Sequence, residues 1–567
     1  VAVIAAGVSF LSVVVFSVFK WIIWLLISFI MAMLQVTYGA YQGSCIFIDL
    51  VVLSTIKSIM WIYKQLQSLS FASSTALDES RRLLWQAQTY REWSSRAAEI
   101  DRLAGTADDW KNSDDGFPMG AKLRACVVEL RRARQSGDYK TLLFHLPGYI
   151  KRNHLGMDDI GLFSGSFTST KTAVNEYVEE IKNCFSYLRQ IPETIFPIGE
   201  KIGFFGKLSR NLGQTALCLS GGGSLSMYHM GVMRALIESG NYSKIQVISG
   251  TSGGSICAAM CACKTEQELL DEVLVNWIST DYRRNGVMKK ENIAWFPPLW
   301  KQMLHFMTTG LLIDNKEYCR TCEYYWGDTT FEEGYQATKK HVCITVTASA
   351  GGSSAGPNKL LLNHISTPHV LIRSAVAASC ALPGIMASNK LLCKGRDGVV
   401  VPFEVDGDNW VDGSFEADVP FKRMSTLFSV SNFIVSQVNF HVVPFLQHKL
   451  PGNLGQASCH SPGTVVSHSV LKTLMKYLDM DLKHRALTLA GMGLLPRWYG
   501  QDMTKLLKQN YRGDVTIVPE LKIDESMGIK AVMNPTVQDM IVYLRDGRRA
   551  CWPHLVRIKH LLAVESW

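Results

Sequence analysis

Residues 215–255 read TALCLSGGGSLSMYHMGVMRALIESGNYSKIQVISGTSGGS, and this stretch decides the fold that the sequence predicts. It contains two apolar runs, and a glycine-rich turn follows each of them. The first half predicts a strand over 216–219, a turn over 221–223 and a helix over 224–238, because methionine, leucine and isoleucine recur there at helical spacing. Each half therefore predicts a strand, a tight turn and the start of a helix.

Ser252 lies in the second of these turns, within the sequence GTSGG at 250–254. The apolar residues before it, 245–248, predict a strand, and a helix is expected to follow the turn. A G-x-S-x-G turn between a strand and a helix lifts the serine hydroxyl clear of the sheet. Gly250 and Gly254 permit the tight turn because they carry no Cβ atoms that would clash. Ser252 is therefore a candidate nucleophile.

The glycine triplet Gly221, Gly222 and Gly223 exposes backbone N–H groups beside the start of the first predicted helix. Such a turn binds either a phosphate or the oxyanion of an acyl-transfer intermediate. A dinucleotide-binding fold is the alternative, but its fingerprint requires a further glycine where this chain has Ser226. The next strand also leads into the serine turn and not to an acidic residue suited to a ribose. The serine nucleophile favours an acyl-transfer site.

The segments LSGGGS and GTSGGS, together with DGS at 412–414, resemble the patatin-like phospholipase family. The resemblance implies an α/β fold, a three-layer sandwich with a mostly parallel central sheet. It also implies that Gly221, Gly222 and Gly223 form the oxyanion hole, that Ser252 is the nucleophile and that Asp412 accepts its proton. No metal and no diffusible cofactor are implied.

Two residues depart from the family pattern. Ser226 stands where the family often has glycine at the end of the glycine loop, and Ser414 stands where alanine or glycine is usual. Both are small residues, and we expect the fold to tolerate them. The run SAVAASCALPG at 374–384 is also similar to a family segment between the nucleophile and the aspartate.

Four other segments narrow the resemblance to one branch of the family. They are YREWSSRAAEIDRL at 90–103, LLFHLPGYIKRNHLG at 142–156, YRGDVTIVPEL at 511–521 and GRRACWPHLVRIKHLL at 547–562. They are similar to the storage triacylglycerol lipases, which include the plant sugar-dependent lipase and the yeast lipid-droplet lipases. This implies hydrolysis of triacylglycerol to diacylglycerol and free fatty acid in storage lipid breakdown. A phospholipase A, a lysophospholipid acyltransferase and a catalytically inert membrane scaffold are the alternatives.

The identity of the general base is open on the sequence alone. An aspartate can take the serine proton if it lies within hydrogen-bond reach. A Ser-Asp-His triad in that chain order is the competing design. His441 follows the apolar run 433–440 and is the triad candidate. A separate H-x4-D pattern, His154 and Asp159, predicts a second base and carboxylate pair that would serve an acyltransferase.

Composition limits the class of protein. The chain has 567 residues, and a length of this order predicts two to four folding units. Hydrophobic residues make up 47% and charged residues 19%, which favours contact with a membrane. The net charge of +9 is spread along the chain, so it fits an anionic lipid surface better than nucleic acid. The 14 cysteines have no framework spacing, and free thiols in a reducing compartment are expected.

The first 66 residues predict a membrane-associated segment. Residues 1–36 hold a single charged residue, Lys20, and about 20 apolar residues in a helix suffice to cross a bilayer. A second apolar run over 45–63 predicts either a hydrophobic hairpin or a spanning helix with an interfacial one. A buried helical pair in a soluble core is the alternative. Basic residues after this segment predict that the remainder of the chain faces the cytosol. The resemblance to the storage lipases implies a location at the endoplasmic reticulum, the lipid droplet or both.

The remaining chain divides into three predicted parts. These are a helical N-terminal domain of the triacylglycerol lipases over 77–205, a patatin-like catalytic domain over 215–428 and a C-terminal extension over 429–567 that completes the lipase. Within the catalytic part, the aromatic stretch 295–312 predicts either core packing or a lid or acyl-chain channel, because a long-chain ester needs an apolar groove.

Overall fold

The computed structural model describes residues 76–273 apart from 104–106, 115 and 164, residues 295–348, residues 359–440 apart from 404–408 and 414–418, residues 511–566 apart from 523–524 and 526–527, and scattered positions elsewhere. The predicted membrane segment 1–66 lies outside these residues except for Thr37 and Tyr41, and so does His441. In the described part of the chain, no helix combines the length and the apolar character needed to cross a bilayer. The fold described below belongs to the unit formed by residues 73–459 and 509–567.

The described residues between 76 and 212 are mostly helical. Their helices are α1 (Ala76–Gln86), α2 (Tyr90–Leu103), α3 (Ala107–Asn112), α4 (Gly120–Gln135), α5 (Tyr139–Tyr149), α6 (Thr172–Gln190) and α7 (Ile198–Leu212). Apolar residues at helical spacing, such as Leu123 and Val127 on α4, are buried against Val174 and Ile181 on α6. The periodicity of the sequence therefore predicts most of these helices.

The helix α3 differs from its prediction, because the polar sequence of 108–116 predicts a loop. The structure instead has a helix over Ala107–Asn112. The Lys171 ammonium lies 4.4 Å from the centroid of the Trp110 ring and donates a hydrogen bond to the Trp110 carbonyl. This tertiary contact stabilises a short helix that local composition disfavours.

Within the described residues, the central sheet has seven strands. They are β1 (Gln214–Leu219), β2 (Val247–Gly250), β3 (His341–Ala348), β4 (Lys359–Leu362), β5 (Trp410–Asp412), β6 (Val430–Ser436) and β7 (Val515–Ile517). Their order is β7-β6-β1-β2-β3-β4, and β5 pairs with β3. The strands β7, β6, β1, β2 and β3 are parallel, and β4 and β5 run antiparallel to β3. The sheet is mostly parallel, as the sequence predicts.

Helices cover both faces of this sheet. After β1, the described residues include the helices α8 (Tyr228–Glu238), α9 (Gly253–Cys263), α10 (Leu299–Thr309), α11 (Asn315–Trp326), α12 (Phe331–Thr338), α13 (Ile372–Ser379), α14 (Phe421–Phe428), α15 (Val537–Cys551) and α16 (Leu555–Leu562), besides the single turn Glu266–Glu268. Leu217 of β1 belongs to the core shared with α8 and α9, whereas its neighbour Cys218 packs with Met424 and Phe428 of α14. Alternate strand residues point to opposite faces, so the result is a helix–sheet–helix arrangement.

The helix after the glycine triplet differs in detail from its prediction. The sequence predicts one helix over 224–238, but the structure has a 3₁₀ turn over Gly223–Met227 before α8 begins at Tyr228. The C-terminal helix α15 crosses α8 closely, because a Cβ atom at Gly547 would approach the Tyr228 carbonyl oxygen closer than 3.0 Å. The end of the chain thereby fixes the helix that follows the glycine triplet.

Candidate active site

Ser252 occupies a strained turn between β2 and α9. Its φ of 52° and ψ of −131° lie in a region that non-glycine residues rarely adopt. Its N–H donates to the Ser379 hydroxyl oxygen at 2.9 Å, and its carbonyl accepts from the N–H and the hydroxyl of Ser255 at 2.8 and 2.6 Å. Backbone strain of this kind costs about 1–3 kcal/mol and persists only where the surroundings hold it. Here the two serines hold it from both sides.

The glycines of this turn allow close packing of backbone on backbone. A Cβ atom at Gly250 would approach the Gly254 carbonyl closer than 3.0 Å, and one at Gly254 would clash in the same way with the Leu219 carbonyl. A Cβ atom at Gly253 would clash with the Gly223 carbonyl. The serine turn and the glycine triplet are therefore in direct contact at the carboxyl ends of β1 and β2.

The glycine triplet adopts a backbone that only glycine takes readily. Gly222 has a φ of 152° and Gly223 a φ of 59°. The carbonyl oxygen of Ala531, in the 3₁₀ helix Ile529–Val532, lies where a side chain of Gly223 would begin. Ser224 also donates a hydrogen bond to the Lys530 carbonyl. Residues near the end of the chain thus cover the triplet and fix its conformation.

His229 lies beneath the triplet and was not identified from the sequence. It is fully buried in α8, with Nε2 2.9 Å from the Ser220 carbonyl and Nδ1 2.7 Å from the Ser436 hydroxyl. Since a carbonyl only accepts, Nε2 carries the proton and Nδ1 accepts from Ser436. Burial lowers the pKa of His229 to about 4, although the bond to Ser220 opposes that shift. As a neutral ring, this histidine links the ends of β1 and β6 through hydrogen bonds to Ser220 and Ser436.

A pH-dependent stability follows from this buried ring. An unfolded histidine has a pKa of about 6.5, so between pH 6.5 and about 4 the unfolded chain binds a proton that the folded chain does not. The free energy of unfolding is therefore highest above pH 6.5 and should fall by roughly 1 kcal/mol per pH unit below it for this group. His554, whose pKa burial also lowers to about 4, adds to the same slope.

The variant His229→Gln tests this assignment, because its amide can keep both hydrogen bonds but cannot titrate. We expect it to be less stable than wild type at pH 7.5 and to lose less of its stability on acidification to pH 5.5. Urea unfolding at both pH values measures the difference. An unchanged slope in the variant would contradict a titrating role for His229.

Asp412 lies at the end of β5 and is fully buried. Its register partner on β3 is Val346, and Gly250 at the end of β2 has Ile344 as its partner. Because β4 occupies the other edge of β3 at both positions, β2 and β5 lie along the same edge. These two partners, Ile344 and Val346, are two residues apart along β3, a separation of roughly 7 Å. The structure therefore brings Asp412 close to the end of the strand that carries the serine turn.

The segment Ser379–Ala381 contacts both candidate catalytic residues. The Ser379 hydroxyl accepts from the Ser252 N–H and donates to the Thr345 carbonyl at 2.8 Å. The Ala381 carbonyl accepts from the Asp412 N–H at 3.1 Å. Cys380 lies between Ser379 and Ala381 in the chain. Burial, with a smaller contribution from the charge of Asp412, raises the pKa of its thiol to about 12. This segment lies within the family-like run 374–384, to which the sequence assigned no role.

The other predicted pair is not assembled. His154 is buried between the rings of Tyr149 and Tyr177, each with its centroid 5.6 Å away, and neither ring nitrogen has a hydrogen-bond partner among the residues that the structure describes. Asp159 instead accepts from the N–H of Gly161 at 2.7 Å. The H-x4-D prediction of a base and carboxylate pair is therefore not supported by the side-chain contacts.

No metal site is formed by the part of the chain that the structure describes, since no group of three suitable ligands occurs there. Cys319 and Cys322 lie on α11, where the Cys319 thiol contacts the side-chain oxygens of Asn315 and Asn389 at 3.4 Å. The cysteines in the same described residues are free thiols.

These features define an α/β protein with a serine on a strained strand-to-helix turn, a glycine loop packed against it and a buried aspartate beside them. The chain belongs to the patatin-like phospholipase family, which confirms the family predicted from the sequence. The family model for patatin-like phospholipase matches residues 217–424. A second model, a domain of unknown function designated DUF3336, matches residues 71–210.

Curated relatives and a solved structure give the extent of the similarity. A patatin-like phospholipase domain-containing protein of Cryptococcus neoformans is 31% identical over 488 residues, which cover 86% of this chain and 53% of that protein. One from Aspergillus clavatus is 30% identical over 504 residues, covering 86% of this chain and 67% of that protein. This chain thus spans about half the length of the first relative. The crystal structure of VipD from Legionella pneumophila is 12% identical, with a TM-score of 0.29, and covers 61% of this chain and 67% of that one.

Proposed function

We propose that this protein hydrolyses triacylglycerol to diacylglycerol and free fatty acid, with Ser252 as the nucleophile and Asp412 as its proton acceptor. The observation that carries the proposal is the register of β3. It sets the serine turn and Asp412 along one strand edge, and the segment Ser379–Ala381 hydrogen-bonds to both of them. Membership of the patatin-like phospholipase family supports a lipid ester as the substrate.

The proposed reaction has two steps. In the first, the Ser252 oxygen attacks the ester carbonyl, its proton passes to the Asp412 carboxylate, and the carbonyl oxygen becomes an oxyanion. Collapse of this intermediate expels diacylglycerol, which takes the proton from Asp412 and leaves the acyl chain on Ser252. In the second, Asp412 accepts a proton from water as that water attacks the acyl-enzyme. The fatty acid then leaves, and the proton returns to Ser252.

Two features of the proposed site stabilise the oxyanion. The N–H groups of Gly221, Gly222 and Gly223 are assigned as its hydrogen-bond donors, and donors fixed before the reaction are worth several kcal/mol at a developing charge. The N-terminus of α9, which begins directly after Ser252, adds the positive end of a helix dipole. Gly250 and Gly254 serve the same site indirectly by allowing the turn to pack against β1.

A histidine base is the alternative to the dyad. His229 contacts the residue before the glycine triplet, but both of its ring nitrogens are already engaged by Ser220 and Ser436. His441, the triad candidate, lies outside the described residues. The Ser-Asp dyad therefore remains the proposal. The activity of a variant that lacks the His441 imidazole distinguishes the dyad from a Ser-Asp-His triad.

We expect His441→Ala to retain hydrolysis within about threefold of wild type, because a dyad needs no imidazole. The measurement is turnover of a soluble short-chain ester by purified variant and wild type, with urea unfolding to show that the variant is folded. A loss of about 100-fold or more in a folded variant would favour the Ser-Asp-His triad instead.

The preference for triacylglycerol comes from the resemblance to the storage lipases. A phospholipase A or an acyltransferase uses the same residues on a different lipid. Purified protein assayed on triolein and phosphatidylcholine side by side, with Ser252→Ala as the blank, separates these substrates. Labelling with a fluorophosphonate separates all of them from an inert scaffold, because a scaffold leaves Ser252 unmodified.

We also propose that the protein works at a membrane, at the endoplasmic reticulum or the lipid droplet, with the catalytic part in the cytosol. The net charge of +9 and the apolar composition of residues 1–66 support this location. Fractionation of cells that express the full chain, with and without residues 1–66, tests it. A soluble full-length protein would contradict it.

A further inference from the structure

The helix α10 (Leu299–Thr309), which we call the bridging helix, presents an unusual surface. Its only buried residue is Gln302. Its large apolar side chains are between 47% and 81% exposed, and these are Leu299, Trp300, Met303, Leu304, Phe306 and Met307. Isolated exposed apolar residues are common on proteins, but a cluster of this kind on one helix marks an interaction site.

These side chains form one continuous face. With successive helix residues about 100° apart, the six fall within an arc of roughly 160°. The sequence left open whether the stretch 295–312 packs in the core or forms a lid or channel. The structure divides it, because Trp295 is buried and stacks on Tyr325 at 4.7 Å, whereas the helix turns its apolar face outward.

The bridging helix is attached to both sides of the candidate active site. On one side, the Gln302 amide donates to the Val532 carbonyl at 2.9 Å, at the end of the 3₁₀ helix that covers Gly223. On the other, the N–H groups of Leu312 and Ile313 donate to the Ile385 carbonyl at 3.0 and 2.9 Å. Ile385 lies four residues after Ala381, the last residue of the segment that contacts Ser252 and Asp412. The helix and the residues that follow it therefore connect the 3₁₀ helix that covers Gly223 to the chain segment beside Asp412.

The charge and side-chain types of this helix fit a lipid surface. Residues 295–313 contain no aspartate or glutamate, and Lys301 is their one lysine or arginine. The Lys301 ammonium lies 5.8 Å from the centroid of the Trp300 ring, so it stands at the rim of the apolar face. Tryptophan, phenylalanine and leucine beside a basic residue are typical of helices that lie in a membrane interface. Anionic lipids attract such a cation.

We propose that the apolar face of the bridging helix inserts shallowly into a lipid surface and holds the candidate active site against it. In this orientation of the protein, an acyl ester passes from the lipid surface to Ser252 without crossing water. The role in catalysis rests on the proposed function, but the contact with lipid does not, because it depends only on the exposed face.

Lipid contact is tested on the full chain with the variant Ser252→Ala, so that catalysis plays no part. The probe is a vesicle of phosphatidylcholine and phosphatidylserine that contains a phospholipid with a photoactivatable group on its acyl chain. After irradiation and digestion, we expect mass spectrometry to find lipid attached to the peptide that carries residues 299–309. Because the readout is local, a separate membrane anchor in residues 1–66 does not obscure it. An unlabelled 299–309 in vesicle-bound protein would overturn the proposal.

The functional consequence is tested with the double variant Trp300→Ser, Met307→Ser. We expect the ratio of its rate on emulsified triolein to its rate on a soluble ester to fall at least about tenfold, since two interfacial side chains are lost. The matched control is Phe144→Ser, which changes an 80% exposed residue on α5 and should leave the ratio unchanged. Urea unfolding checks that each variant is folded.

The outcomes separate this proposal from the proposed function. Wild-type protein that is inert on both esters would reject the lipase, while lipid labelling of 299–309 would still support the docking face. An equal fall in the ratio for Phe144→Ser would reject the docking face and leave the lipase intact. A wild-type dimer that the double variant converts to a monomer, with 299–309 unlabelled, would assign the face to a second copy of the chain.

Discussion

Replacement of Ser252 by alanine is expected to abolish ester hydrolysis, with a loss of at least about 10⁴-fold. Asp412→Asn should cost at least about 10³-fold, because the amide keeps the shape of the side chain but cannot accept the proton. The two residues act as a unit in the proposed mechanism. The double variant should therefore be no worse than Ser252→Ala alone. Rates on one soluble ester, with fluorophosphonate labelling of each variant, measure all three losses.

Stability provides an independent signature at the same position. Ser252 has a φ of 52°, which glycine adopts without strain. We therefore expect Ser252→Gly to be inactive yet more stable than Ser252→Ala by about 1 kcal/mol in urea unfolding. An active Ser252→Ala protein would reject the nucleophile. Equal stability of the two variants would reject stored strain in the turn.

Gly223→Ala is expected to have the second largest effect, with loss of both activity and stability. A Cβ atom there would approach the Ala531 carbonyl oxygen closer than 3.0 Å, and the backbone has a φ of 59°. Either the glycine triplet or the covering 3₁₀ helix must move. We expect a loss of at least about 3 kcal/mol in the free energy of unfolding, since a clash is added to the strain of an unfavourable φ. Hydrolysis should fall at least about 100-fold because the assigned oxyanion donors move.

Gly240→Ala is the matched control for this experiment. Gly240 has a similar φ of 66°, but a Cβ atom there would meet nothing within 4 Å. It should cost only the unfavourable backbone, about 1 kcal/mol, and leave hydrolysis unchanged. If both variants lost the same stability, the contact with Ala531 would have no role. A Gly223→Ala protein with full activity would remove the triplet from the oxyanion hole.

Local features of the fold were accessible from the sequence. The strands β1 and β3 and the helices α4 and α6 follow from apolar periodicity, because each buries one face or runs through the centre of the sheet. The elbow at Ser252 was also predictable, since a strand, a glycine turn and a helix occupy consecutive residues there. Residue spacing is enough to predict a structural element wherever the contacts that determine that element are local.

The remaining features depend on contacts between distant parts of the chain. Asp412 approaches the serine turn only through the pairing of β5 with β3, which no local pattern specifies. His229 was passed over because a histidine in an apolar helix gives no sign of its partners, Ser220 and Ser436. Ser379 was likewise missed, since its hydroxyl acts on a backbone N–H more than a hundred residues earlier in the chain.

The position of β1 in the sheet has a consequence for how the protein is made. β1 lies between β2 and β6, and the 3₁₀ helix over Gly223 comes from residues 529–532. During translation, the serine and its glycine loop leave the ribosome some three hundred residues before the segment that covers them. A nascent chain that stops before residue 529 therefore contains Ser252 but lacks the segment that covers the glycine loop, so we expect the proposed ester hydrolysis to begin only after that segment has been made. The order of the polypeptide thus makes completion of the candidate site a late event relative to the synthesis of its serine.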